Sequence, residues 1–141
     1  MKLPNFVVAV AALTLVASPA LSQPMQLGIC EPHQRNTPTK TCVVDGDTLW
    51  LQGEKIRLEG FDTPEVSEPK CSSEKKLANQ ATRRLTALLN GSDWKLNRSG
   101  KTDRNGRTLA TITIRSKDVG DTLIAEGLAH DWNGRRLSWC D

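Results

Sequence analysis

TCVVDGDTLWLQGEKIRLEGFDTPE, residues 41–65, is the stretch on which the fold turns. Within it TCVV, DTLWLQ and KIRLE are rich in β-branched and alternating apolar residues, and each run is bounded by turn formers, so the stretch predicts three strands. The last two are expected to join as a hairpin across Gly53-Glu54. In the third, Ile56 and Leu58 alternate with Lys55, Arg57 and Glu59, which turns the apolar pair to a core and leaves Arg57 on the charged face. The stretch ends on Asp62-Thr63-Pro64-Glu65. Taken alone this is a polar turn, because Asp starts turns and Pro presets the backbone.

Downstream the period changes. In SSEKKLANQATRRLTALLNGS, residues 72–92, Leu77, Ala78, Ala81, Leu85, Leu88 and Leu89 recur at helical spacing. Ser72 or Ser73 is the expected cap, Asn90-Gly91 the expected stop, and Lys75, Lys76, Arg83 and Arg84 fall largely on the solvated side. WKLNR and TLATITIR predict two further strands, separated by the polar loop SGKTDRNGR. DVGDTLIAEGLA predicts a second helix from Asp118 to about Gly127. Three strands, a helix, two strands and a helix match the five-stranded Greek-key barrel of the OB-fold, a β-barrel with helices in the α+β class.

Upstream, MKLPNFVVAVAALTLVASPALSQ reads as a secretory signal over residues 1–22: one basic residue, a short apolar run, then Ala20-Leu21-Ser22 at the cleavage point. The apolar run is about a dozen residues, short of the roughly 18–20 that a spanning helix needs. Residues 23–39 hold scattered polar residues and prolines without apolar period and read as an N-terminal arm, leaving 40–141 as the folded domain. A secreted or periplasmic location and a monomer are expected. The net charge of +3 falls by one with the leader, which neither favours nor excludes nucleic acid.

Cys30, Cys42, Cys71 and Cys140 form an even set in a chain expected to be exported, so two disulfides are expected. Of three connectivities, Cys30 with Cys42 and Cys71 with Cys140 is preferred, because these bonds would tether two ends that otherwise fray. The rival is a zinc site from Cys30, His33 and Cys42, which lacks a compact second pair of ligands.

Three separated segments share a chemistry. VVDGDTLW offers Asp45 and Asp47, FDTPE offers Asp62 and Glu65, and TDRNGR offers Arg104 and Arg107. Phosphodiester hydrolysis needs a hard cation, a carboxylate to handle water, and cationic donors for charge building on phosphorus. Each segment also has a plain reading as a turn, DGD and NGR especially.

Together VVDGDTLWL, IRLEGFDTPE and KTDRNGR, in that order with a helix between the last two, closely resemble the staphylococcal nuclease-like (thermonuclease) family over about residues 40–130. The resemblance implies an OB-fold and calcium-dependent hydrolysis of DNA and RNA that leaves 3′-phosphate ends. It makes Asp47, Asp62 and the backbone carbonyl of Thr63 ligands of Ca2+. It makes Glu65 the general base or water-positioning residue, and Arg57 and Arg107 the phosphate and transition-state contacts. Asp45 matches a position near the metal but not on it. Asn105 stands where the family's best-studied member has a tyrosine, and the chain has no tyrosine at all. His130 or Trp132 is a candidate substitute for base stacking, although Trp132 is expected first as a packing residue near the core or a disulfide. Two other classes compete: a catalytically weak OB-fold binding module, and an accessory protein of the envelope or of exopolysaccharide production.

Overall fold

The computed structural model describes residues 25–140, so the expected signal over residues 1–22 lies outside the described residues. Strand β1 (Gly28–Ile29) runs parallel to β2 (Cys42–Asp45), which pairs antiparallel with β3 (Thr48–Leu51), itself antiparallel to β4 (Glu54–Leu58). After β5 (Phe61–Asp62) comes helix α1 (Ser72–Gly91). Then follow β6 (Lys95–Thr102), β7 (Thr108–Ile114), β8 (Lys117–Asp118), α2 (Val119–Ala125) and β9 (His130–Asp131). The main sheet runs β1-β2-β3-β4-β7-β6, with β8 on β7, while β5 and β9 form a separate antiparallel pair. The long strands β2, β3, β4, β6 and β7, with α1 between the first three and the last two, form an OB-fold, as the order of periodic segments predicts.

The core lies between this sheet and the two helices. Val43, Leu49, Ile56 and Leu58 from the first hairpins meet Leu85 and Leu89 of α1, Ala110 and Ile112 of β7, and Leu123 of α2. The helix buries Ala78, Ala81, Leu85 and Leu89, which is the face its spacing predicts, while Lys75, Lys76 and Arg83 are exposed.

Several local readings are corrected. The β3–β4 hairpin turns on Gln52-Gly53, with Leu51 opposite Glu54. Both turn residues have positive φ (47° and 81°), the backbone of a type I′ turn, for which a glycine at the second place is well suited. The cap of α1 is Cys71, whose sulfur accepts from the Glu74 N–H, rather than Ser72 or Ser73. The segment read as an arm contributes Leu27, 3% exposed, to the core, and Asn90 fixes it by accepting from its N–H and donating to its carbonyl at 2.8 Å each. Strand β6 runs on to Thr102 into residues read as loop.

Both preferred disulfides are present, Cys30–Cys42 and Cys71–Cys140. The first removes two of the three ligands that a zinc site would have used, since a half-cystine offers no thiolate. Among the described residues no helix is long and apolar enough to cross a membrane.

Candidate functional site

The β2–β3 turn, β4, the segment after β5 and the β6–β7 loop end around one cleft of about 640 Å³. Register brings them together. Thr48 lies opposite Arg57 across β3–β4, and the parallel pairing of Ile56 with Thr108 and Arg57 with Leu109 carries Arg107 to the same end of the sheet. A one-residue irregularity between Val43 and Asp45 leaves Val44 unpaired just before the turn. Bulges of this kind re-aim the residues that follow, here Asp45 and Asp47.

Asp47 is 4% exposed and its carboxylate is crowded with donors. Its Oδ2 pairs with Arg57 Nη1 at 2.6 Å and accepts from the Thr63 N–H at 3.0 Å and the Thr63 hydroxyl at 2.9 Å. Its Oδ1 accepts from the Thr48 hydroxyl at 3.0 Å. The same hydroxyl oxygen accepts from Arg107 Nη1 at 3.5 Å, so one threonine touches residues of the first and third motifs. Gly46 is required here by space: a Cβ would lie 2.7 Å from Thr63 Cγ2 and 2.8 Å from Ala81 Cβ. That close approach is what lets the Asp45–Asp47 turn lie against the Thr63 turn.

Asp62 is 2% exposed. Its Oδ1 accepts from Arg136 Nη2 at 2.8 Å and, at 3.4 Å, from Arg57 Nη2, while its buried Oδ2 has no hydrogen-bond partner. Burial pushes the Asp62 carboxyl up, and hydrogen bonding from Arg136 offsets part of that rise. Burial likewise pushes Asp45 well up, with the Asp47 charge adding to it. Glu65 is half open to solvent and pairs with Arg136 Nη1. Its backbone N–H is held at 3.3 Å by buried Glu74, whose other oxygen accepts from the Lys70 N–H at 2.7 Å.

Arg107 does not point freely into the cleft. Its Nε and Nη2 each reach Asp103 Oδ2 at 2.7 Å, and Asp103 Oδ1 also accepts from the backbone of Asn105 and Arg107, making a closed turn. Arg104 and Asn105 are exposed on the cleft's rim.

Of the residues singled out from sequence, Asp47, Arg57, Asp62, Glu65 and Arg107 line the cleft, and Thr63 lies behind it on Asp47. The donors suit a hard cation: Asp47 and Asp62 supply carboxylates, and the unpartnered buried Asp62 Oδ2 is an acceptor left for something positive. Among the described residues no three acidic, histidine or cysteine side chains converge as a ready-made cage, so main-chain oxygen or water must complete any coordination.

Two contributors, Arg136 and Glu74, escape sequence reading, and a third, Trp132, is read there as packing first and base stacking second. Arg136 enters from the C-terminal tail. Glu74 works from the first turn of α1, where only its place three residues after the cap hints at a role. Trp132 is 47% exposed and lines the cleft, which overturns its expected packing role; the packed indoles include Trp94, against the core, and Trp139, stacked on His130 with ring centroids 3.7 Å apart. That contact occupies one face of His130.

A family model described as "Staphylococcal nuclease homologue" matches residues 55–136. The chain is 32% identical over 109 residues to Endonuclease YncB of Bacillus subtilis (strain 168), a match covering 70% of this chain and 51% of YncB. It is 33% identical over 92 residues to SPbeta prophage-derived endonuclease YokF of the same strain, covering 61% of this chain and 31% of YokF. The chain thus spans about half the length of the first relative and about a third of the second.

Proposed function

The chain belongs to the staphylococcal nuclease family, and from that premise we propose that it is an exported, calcium-dependent nuclease that hydrolyses phosphodiester bonds of DNA and RNA and leaves 3′-phosphate ends. In this reading residues 40–141 are the nuclease domain, acting as a monomer after loss of residues 1–22.

Asp47, Asp62 and the carbonyl of Thr63 would hold calcium, which when bound supplies positive charge against the phosphate. Glu65 orients a water and takes its proton as the water oxygen forms its bond to phosphorus. The bond from phosphorus to the 5′ oxygen breaks, and that oxygen leaves as a hydroxyl after protonation by solvent. Arg57 and Arg107 donate to the non-bridging oxygens as negative charge builds on them, the step at which fixed cationic donors matter most. Asp45, whose carboxyl is pushed well up by burial and by the neighbouring Asp47 charge, accepts from the Asp47 N–H at 3.1 Å and props the turn.

The observation that supports this reading best is that Arg57, Glu65 and Arg107 share one cleft with Asp47 and Asp62. A binding module has no need of that combination around an unpartnered buried carboxylate oxygen.

The test is cleavage of single-stranded DNA and RNA by purified residues 23–141, with calcium and then with a chelator. Cleavage that calcium starts and chelation stops is expected, and its absence at micromolar protein sinks the proposal. Glu65→Gln and Arg107→Ala should each lower the rate roughly 10²-fold or more while leaving the fold intact.

A further inference from the structure

The tail beyond β9 is a strap tied at both ends. At one end β9 pairs with β5 and the Trp132 N–H reaches the Gly60 carbonyl at 3.0 Å. At the other, Cys140 is bonded to Cys71, the cap residue of α1, and Trp139 lies on His130. Between the anchors residues 132–138 are exposed and carry no regular structure. Trp132 and Arg136 of this span line the cleft, and the Arg136 guanidinium bridges Asp62 and Glu65.

These two carboxylates are the ones the proposed reaction needs free, one for the cation and one for the water's proton. With Arg136 in place, Glu65 already shares its charge with a guanidinium. A divalent ion on Asp62 would also sit against two arginines, since Arg57 reaches the same carboxylate. The strap holds Arg136 there by few contacts, so its release requires little else to move.

We propose that the disulfide-tied strap is a built-in brake, in which Arg136 acts as an internal surrogate cation on Asp62 and Glu65 and must be displaced before a divalent cation binds. This rests on the cation reading of the site given above. Opening the Cys71–Cys140 bond by exchange with a small-molecule thiol, two molecules of which are oxidised to their disulfide as two cysteine thiols form, frees one anchor and weakens the brake, which makes cation affinity sensitive to the redox state of the tail.

The experiment is calorimetric titration of calcium into residues 23–141 without nucleic acid, comparing wild type with three variants whose folding is checked by thermal melting. Arg136→Met should tighten binding roughly tenfold, the size expected when two ion pairs no longer compete. Arg135→Met removes the same charge one residue away and should change binding less than about twofold if the effect is contact rather than net charge. Cys71→Ser/Cys140→Ser, in which serine can still cap α1, should also tighten it. Unchanged or weaker binding in Arg136→Met, or equal tightening in Arg135→Met, overturns the proposal. Tightening in Arg136→Met but not in the double serine variant overturns the disulfide's part in it. If neither wild type nor Arg136→Met binds calcium, the cation reading fails and the brake fails with it.

Discussion

Arg57 Nη1 lies 2.6 Å from Asp47 Oδ2, with the two side chains only 14% and 6% exposed. The pair joins β4 to the β2–β3 turn, and Arg57 continues outward to the carbonyls of Leu58 and Phe61 and to Asp62. A residue whose expected role is to meet a phosphate is thus also part of the framework that holds the carboxylates. Removing one partner of so buried a pair leaves the other's charge uncompensated, which costs more than the pair itself contributes.

Asp47→Ala should therefore destabilise the fold by about 3 kcal/mol or more, because Arg57 loses a counter-charge and Thr63 loses the acceptor for both its N–H and its hydroxyl. Asp47→Asn keeps the shape and one carbonyl acceptor and should cost less than half as much. Urea denaturation measures both. Equal losses in the two variants would show that the carboxylate charge, which both remove, governs this position rather than the shape and acceptor that asparagine keeps.

Gly46→Ala should cost about 1–3 kcal/mol, since its new Cβ falls within 2.8 Å of both Thr63 and Ala81, and neither is a flexible side-chain end that swings away. The strain is relieved most directly by moving the Thr63 turn off Asp47, so the proposed nuclease activity should fall further than stability alone explains. Melting temperature and cleavage rate, read together, test both parts. An alanine variant with full activity would mean that the approach of the two turns is not needed.

What the sequence carries plainly is what repeats. Alternation in 41–59 and helical spacing in 72–92 are signals summed over many residues, so the OB order and the buried face of α1 are legible. The acidic and basic motifs are legible because each is compact. Leu27 sits in a short Met25-Leu27-Ile29 alternation too brief to mark a buried strand, and its burial depends on Asn90, 63 residues away. The β5–β9 pair is two residues long on each side, too short for any period. Arg136 reaches Asp62 across 74 residues, through a path set by a disulfide and a stacked tryptophan. Such placements follow from tertiary geometry, which no local window contains.

Acid should remove a defined part of the stability. Arg98 forks onto Glu54 with contacts of 3.1, 3.2 and 2.5 Å, and its hydrogen bonding holds the Glu54 carboxyl below its ordinary 4.5. A depressed folded-state value means that the contribution is present above about pH 4.5 and is lost as pH falls through that value and below. Arg98→Ala should thus show a small fall in melting temperature at about pH 7 and a smaller one at about pH 3, below the 4.5 at which the pair's contribution starts to be lost. The pair is well exposed, so high salt at neutral pH should shrink the difference too. A loss of equal size at both pH values would assign the effect to the arginine's stem rather than to its charge.

In the proposed reaction Glu74 acts through Glu65. It is 3% exposed, accepts from the N–H groups of Glu65 and Lys70, and so pins the turn that carries Glu65 to the start of α1. Glu74→Ala leaves both N–H groups without an acceptor and frees that turn. The expected result is a kcat lowered by roughly tenfold or more with little change in KM, because a displacement of about 1 Å at a reacting group is costly while substrate still binds elsewhere in the cleft. Glu74→Gln keeps one acceptor oxygen but turns an amide N–H toward the other donor, and should recover part of the rate. If Glu74→Ala raises KM and leaves kcat alone, Glu74 shapes the substrate surface instead of positioning Glu65.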